Sequence, residues 1–540
     1  MKKLSDNKLT ILIIFFLAFS VRLYGLNWDQ DNHLHPDERF LTMVTNDIKL
    51  PSSVFEYFQS SSSPLNPYNY PQYQFFVYGT FPIFLTKTLA VVIGMDNYQH
   101  LVILGRFLSA LFDSTNIILL YYLSRKRILP SLFYALTILP IQLSHFFAVD
   151  TFLTTFILAT FTLLSYNLFI PAAITFGLAL SSKISAIIFA PIFLLFIVKQ
   201  KRLSAILRII FYVLPITLLV FRIFNPYVFT SFFNLSPLFI ENLETLKSFS
   251  DPSGWFPPAV QWLSKTPSIF PLQNIVFFGL GLPITILFLV SLRRLRDNFL
   301  LWTSLLWIVL VLVTQGSQMA HTMRYFLPVY PFIVLIAFWH RPSFVRPVLI
   351  FQFVITLSFL TIYSVPHSRV QASNWILAHI SSRSVISSEY WDDPLPLGHS
   401  PYKSLSLPFY DPDTPEKWQK IDQQLSEVDY LIMSSNRLWG SIPLVPDKYP
   451  IASRFYQDLF RGRQSFQKLV EINSYPGFRL PIGKCYYFGP TDMPGDKSWL
   501  SVNTCNYPGI YFRDDVAEEA FTVYDHPKVL IFKKSLHTDL

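Results

Sequence analysis

The sequence predicts a polytopic α-helical membrane protein with about eleven transmembrane helices, followed by a C-terminal extracytoplasmic domain of α/β or α+β type. Three observations lead there. Hydrophobic residues fill 51% of the 540 positions and charged residues only 14%, and a mean hydropathy of +0.37 is too high for a chain of this length that must dissolve in water. Apolar stretches suited to about 30 Å of hydrocarbon recur near 9–26, 101–124, 128–147, 150–167, 168–182, 184–198, 204–224, 275–292, 299–315, 325–339 and 346–363. Beyond Tyr363 the composition becomes that of a soluble protein, over roughly 175 residues, enough to bury a core of its own.

The first stretch reads as an anchor, residues 1–26. Ala18-Phe19-Ser20 weakly resembles a cleavage site, but the apolar run continues through Val21 to Leu26 and further spans follow, so retention is expected. Residues 27–100 form a first long external loop with a Ser60–Ser63 run and a stretch rich in Pro and Tyr. Within it, residues 73–94 are apolar but interrupted by Pro82 and Lys87, which suits a helix in the interface rather than a span. Residues 101–363 form the bundle, with a second long external loop at 225–274 that carries Trp255 and Trp262. The membrane catalytic domain is therefore 1–363 and the soluble domain 364–540. Strand-like runs at Ser384–Tyr390, Tyr430–Met433 and Val529–Phe532 alternate with helical patterns in the latter.

Orientation follows from the cations. Lys2-Lys3, Arg125-Lys126-Arg127, Lys199 with Lys201-Arg202, Arg293-Arg294 with Arg296, and Arg341 with Arg346 all fall on one side when 73–94 does not cross. Basic loops stay in the cytoplasm, so the N-terminus is expected inside and the C-terminal domain outside. Many of the cations behind the net charge of +9 are then topology signals beside anionic lipid, and no nucleic-acid partner is implied. Cys485 and Cys505 both fall in the external domain, where a disulfide is allowed but not dictated by spacing.

The chemistry begins with ionisable groups that a bundle keeps despite a cost of about 3 kcal/mol or more for a charge in hydrocarbon. Arg106, Asp113, Asp150, Lys183, Arg222 and Arg324 lie in or at the ends of spans, and all but Asp113 fall at external ends, on the side of Asp37 and Glu38. An outward-facing cavity of acids and cations accounts for the set. The plainer reading of each residue alone is a snorkelling cation or, for Asp150, a helix cap. Cations suit a phosphate and a carboxylate suits deprotonation of a hydroxyl. Together they describe attack by an alcohol on a sugar whose leaving group is a lipid phosphate. Such a group leaves without the second carboxylate that glycoside hydrolysis needs. No cofactor is expected; the alternative is a divalent metal on His33, His35, Asp37 and Glu38, a short cluster constrained by Pro36. Neither a P-loop nor a dinucleotide fingerprint is found, which argues against a nucleotide-sugar donor.

Several segments resemble membrane glycosyltransferases of the GT-C superfamily, specifically family 39 and its bacterial dolichyl-phosphate-mannose-mannosyltransferase-like relatives. They are His35-Pro36-Asp37-Glu38, Gly105-Arg106 with Ser109-Ala110-Leu111, Ser144-His145-Phe146-Phe147-Ala148-Val149-Asp150, Ser182-Lys183, and Met323-Arg324-Tyr325 with Leu327-Pro328. The resemblance implies inverting transfer from a polyprenyl-phosphate-linked sugar on the extracytoplasmic face, without metal. It maps the base onto Asp37, with Glu38 and Asp150 orienting substrates. Lys183, Arg106, Arg222, Arg324 and His145 are the candidate substrate ligands. The acceptor hydroxyl is left open among protein, glycolipid and cell-wall polymer. Glu389-Tyr390-Trp391-Asp392-Asp393 and Val523-Tyr524-Asp525-His526-Pro527-Lys528 look like a bacterial subgroup of these enzymes; Trp391 with its acids reads either as a sugar platform or, more simply, as a turn in the domain core. Two other classes compete. One is a transporter or flippase for a lipid-linked or anionic substrate, and the other is a membrane-anchored assembly protein that would not need Asp37.

Overall fold

The computed structural model describes residues 2–231, 234–249, 251, 256–295, 298–505 and 507–535, with side chains from residue 7 onward. Trp255, Arg296 and the side chains of Lys2 and Lys3, named above, lie outside the described residues. The chain forms two compact units that interleave in sequence. The first comprises 1–26, 35–248 and 271–356, and the second comprises 27–34, 249–270 and 357–540. The second thus takes a piece from each long loop as well as the C-terminal region.

In the first unit every apolar stretch expected from sequence is helical. Tyr98–Leu123, Leu203–Phe224, Phe299–Gly316 and the run beginning at Val345 are long and apolar enough to cross a membrane, and a bent pair would make a fifth. Helix Tyr98–Leu123 packs on Lys2–Leu23 and on Val149–Ser165, which in turn packs on Phe169–Ser182. Between them Arg22 meets Asp113 at 2.6 Å, both fully buried, and the Tyr134 hydroxyl donates to the same carboxylate at 2.6 Å. Asp113 is therefore a neutralised interior group rather than part of any external site.

Two stretches read as single helices are broken, each for a backbone reason. Residues 128–147 divide into Ile128–Ala135 and Ile138–Ser144. Pro140 has no N–H to give the carbonyl four residues back, that of Leu136. The freed oxygen accepts instead from Thr356 Oγ1 at 2.7 Å and Gln352 Nε2 at 2.9 Å, as an apolar surrounding demands. Residues 275–292 bend by 112° between Ile269–Leu280 and Leu282–Arg294. The hinge is Gly281 at φ 88°, with Pro283 opening the next helix. Residues 81–93 form a 13-residue helix, shorter than a span, and Lys87 on it pairs with Asp96 at 2.6 Å.

The second unit has a five-stranded sheet of order β2-β1-β3-β9-β4 and a four-stranded sheet of order β5-β8-β6-β7. The first sheet uses β1 (Val385–Glu389), β2 (Lys403–Leu407), β3 (Tyr430–Met433), β4 (Phe466–Ile472) and β9 (Val529–Lys534). Strands β2, β1 and β3 run parallel, and β9 and β4 are antiparallel additions. The second sheet uses β5 (Gly477–Arg479), β6 (Cys485–Phe488), β7 (Leu500–Asn503) and β8 (Gly509–Phe512). Cys485 and Cys505 are joined in a disulfide with Cα atoms 6.0 Å apart. Trp28 belongs here too: its indole donates to the Asp525 carbonyl at 3.1 Å, and its carbonyl accepts from the His367 N–H at 2.9 Å.

Both motifs singled out in the C-terminal region are interior ion-pair networks. Asp392 and Asp393 accept from Arg369 at 2.5 and 2.7 Å, and the Trp391 carbonyl accepts from Arg437 at 2.7 Å. Trp391 itself adopts a left-handed φ of 82° at a turn, with its ring half-buried against the core of the second unit. His526 lies 2.8 Å from Asp514; burial opposes its charge, but Asp514 and Asp525 push its pKa up to about 10. Lys528 holds Asp515 at 2.6 Å and Asp492 at 2.8 Å.

Glu389 differs from these acids because it has no cation partner among the described residues. Burial pushes its carboxyl up to about 8, offset in part by the Tyr456 hydroxyl, which donates to Oε1 at 2.6 Å, while Oε2 has no partner. Between the ordinary carboxylate range and about pH 8 the unfolded chain ionises this group and the folded one keeps it protonated. Stability must therefore fall as pH rises through that window, by up to about 1.4 kcal/mol per pH unit. Glu389→Gln, which copies the protonated form, is expected to flatten that fall in thermal melts taken between about pH 5 and 8; an unchanged slope would refute the assignment.

Candidate active site

The site is built around the start of helix Pro36–Asp47. Pro36 occupies its first turn, where a missing N–H costs nothing. His35 caps it: Nδ1 accepts from the N–H groups of Asp37 at 3.2 Å and Glu38 at 3.4 Å. That role requires a neutral imidazole, and burial, together with the charges of Arg324, Arg106 and Arg39, holds the His35 pKa well below its usual value. The ring also packs on Phe146, with centroids 4.6 Å apart.

The cap sends the two neighbouring acids in different directions. Glu38 is fully buried. Its Oε1 accepts from Arg106 Nε at 2.8 Å and from the Phe147 N–H at 2.7 Å, while Oε2 accepts from a second Arg106 nitrogen at 2.7 Å. Arg106, 1% exposed, also donates to the Leu26 carbonyl at 2.8 Å. Gly105 makes room for this clamp, since a Cβ there would stand 2.3 Å from the Phe147 ring. Glu38 thus ties the acidic helix to helix Tyr98–Leu123 and to the turn before helix Val149–Ser165.

Asp37 is 22% exposed and forms an ion pair with Arg324, which is 21% exposed. Arg324 lies in the 3-10 segment Met323–Val329, which precedes the helix Tyr330–Phe338. The next residue on that segment, Tyr325, faces a second pair. Lys183 Nζ sits 4.4 Å from its ring centroid and 2.8 Å from Asp150 Oδ1. Asp150 opens helix Val149–Ser165 and is 3% exposed, whereas Lys183, just past the end of Phe169–Ser182, is 21% exposed. Gly79 pins this corner from the first loop by donating to the Ser182 carbonyl at 3.2 Å, and any Cβ on it would meet the Ser181 carbonyl oxygen at 2.0 Å.

The structure therefore brings together Asp37, Arg324, Asp150 and Lys183 through residues 324 and 325, and separates the remaining candidates by role. Arg106 is engaged by Glu38 and, at 1% exposed, is closed to solvent. His145 is fully buried, its ring nitrogens at 2.8 Å from the Ile141 carbonyl and 3.0 Å from that of Tyr24. Arg222 donates to the Pro226 carbonyl at 2.9 Å and lies over the rings of Phe229 and Phe58. Sequence reasoning did not single out Tyr325 as the aromatic beneath Lys183, nor the Phe147 N–H as a Glu38 ligand. Both stood within segments already noted, but only contact reveals them. Of the four residues considered for a metal, His35 spends Nδ1 on the cap and Glu38 both oxygens on Arg106 and Phe147. Among the described residues no group of three or more His, Cys, Asp or Glu side chains is placed to hold an ion.

Comparison with known proteins adds likenesses of fold. Archaeal oligosaccharyltransferase AglB from Archaeoglobus fulgidus, in complex with an inhibitory peptide and a dolichol-phosphate, aligns over 92% of this chain and 74% of its own, at 13% identity and TM-score 0.47. ArnT from Cupriavidus metallidurans bound to undecaprenyl phosphate aligns over 69% and 66%, at 14% identity and TM-score 0.42. The S. cerevisiae protein O-mannosyltransferase Pmt1-Pmt2 complex bound to the sugar donor aligns over 47% and 36%, at 19% identity and TM-score 0.31. The chain is similar to solved oligosaccharyl- and mannosyltransferases. At these identities and scores the likenesses carry no residue correspondence. No protein-family model and no curated protein matches the chain.

Proposed function

We propose that this protein is a GT-C glycosyltransferase of the family 39 kind, which moves a sugar from a polyprenyl-phosphate-linked donor to an acceptor hydroxyl on the extracytoplasmic face of the membrane. The observation that carries the reading is the part-exposed Asp37–Arg324 pair, joined through Tyr325 to Asp150–Lys183. Asp37 is the base: it takes the acceptor proton as the hydroxyl oxygen bonds to the anomeric carbon. The bond from that carbon to the phosphate oxygen breaks on the opposite face, its electrons leave with the lipid phosphate, and the anomeric configuration inverts.

Arg324 and Lys183 bind the donor phosphate, the former through its forked donors and the latter as a point charge. In the free enzyme each is occupied by a carboxylate. Donor binding draws them onto phosphate oxygens and leaves Asp37 free to accept a proton, while the cations stabilise the charge that builds on the leaving group. Glu38 and Arg106 hold the helix that presents Asp37, and Asp150 steers Lys183. The eleven spans, a cytoplasmic N-terminus and an extracytoplasmic second unit belong to the same proposal and rest on the cation distribution. No metal takes part in it.

The test is turnover of radiolabelled polyprenyl-phosphate sugars by purified protein in membranes, with a hydroxyl acceptor and with or without a chelator. Release of polyprenyl phosphate together with a labelled acceptor, equal in both conditions, is expected. Movement of intact donor across the bilayer with no release of lipid phosphate would replace the enzyme with a transporter.

A further inference from the structure

We propose that the second unit carries a separate binding site for a saccharide bearing an anionic group, in the cavity between the 260–270 segment and the residues around Trp439. The cavity measures about 460 Å³, within the range of small-ligand sites. Its apolar surfaces come from Phe270 and from Leu444, which is 50% exposed, and its amides from Gln261 and Gln457. Rings and planar polar groups in one wall suit a sugar, which has C–H faces to cover and hydroxyls to pair.

The charges decide what kind of sugar. Three acids reach the wall and each is answered from within the fold. Glu519 is held by Arg437 at 2.6 Å, and Asp492 and Asp515 share Lys528. Burial and the charge of Asp492 push Asp515 up to about 7, so this pair carries less negative charge than two free carboxylates. Among the described residues, two cations in the lining have no such answer. Lys265 lies against the Phe270 ring at 4.9 Å with no acid partner, and Arg461 is exposed with none. In addition, Trp439, a residue of the cavity lining, is 1% exposed, and its indole N–H has no acceptor among the described residues. A carboxylate or phosphate on the ligand would take Lys265 and Arg461, and ring or hydroxyl oxygens would take the remaining donors.

The site does not depend on the transfer chemistry proposed above, and its test reads binding alone. Glucuronic acid, glucose 6-phosphate, inorganic phosphate and glucose are titrated calorimetrically into the full chain in detergent, alongside Lys265→Gln and Arg461→Gln. One or both of the anionic sugars should bind at least tenfold tighter than glucose and than inorganic phosphate, and each substitution should weaken that binding by roughly tenfold, the loss of one charge-assisted hydrogen bond. Preference between the two sugars identifies the anion as carboxylate or phosphate. Equal binding of glucose, no saturable binding of either anionic sugar, or full binding in a folded Arg461→Gln protein would overturn the proposal. Arg461 is exposed, so its variant keeps the test decisive if Lys265→Gln fails to fold.

Discussion

Asp37→Asn is expected to lower sugar transfer by about 10³-fold, within the 10² to 10⁴ that a positioned base contributes. The amide keeps the shape of the carboxylate and can still accept a hydrogen bond from Arg324, but it has no basicity with which to take the acceptor proton. Donor binding should survive, because the proposed phosphate ligands Arg324 and Lys183 remain. Turnover and equilibrium binding of polyprenyl-phosphate sugar, measured on the same membranes, separate the two effects. Unchanged turnover would remove Asp37 from the mechanism; loss of binding with turnover of the bound fraction intact would make Asp37 an orienting group.

Glu38→Ala is expected to act on the fold. The change leaves the Arg106 guanidinium, 1% exposed, without its counter-charge and the Phe147 N–H without its acceptor. Breaking one side of a buried pair costs about 3–5 kcal/mol, which should appear as a large drop in melting temperature in detergent. Replacing both partners, with Glu38→Gln and Arg106→Met, removes the stranded charge and should recover part of the loss. A Glu38→Ala protein that melts like the parent would show that the clamp holds nothing. The two predictions are opposite in kind although the residues are adjacent: one carboxylate faces the solvent side of the helix start and the other faces the interior.

Much of the architecture was legible in the chain. Apolar length marked the long helices of the first unit but not the loop helices Pro36–Asp47 and Pro237–Ser248, and the strand-like runs at 384–390, 430–433 and 529–532 became β1, β3 and β9. The tetrapeptide His35-Pro36-Asp37-Glu38 stood out because two acids beside a proline, just after an apolar run, have no reason to be there except a helix start or chemistry. It is both. Less legible were the borders of the second unit, since residues 27–34 and 249–270 join it by packing rather than by composition.

By itself, then, the sequence marked the apolar helices of the first unit and the basic clusters between them, and it supplied the residue types that the proposed phosphate and proton chemistry needs. These follow from transfer free energies and ionisation, which belong to each residue wherever it lies. Only the tertiary structure decided that Arg106 serves Glu38, that Asp113 is answered by Arg22, that Arg324 and Lys183 flank one aromatic, and that the 389–393 and 523–528 motifs are interior networks. A charge chooses its partner by distance and by competition from every other donor within reach, and residues 68 or 287 positions apart become neighbours only when the chain has folded.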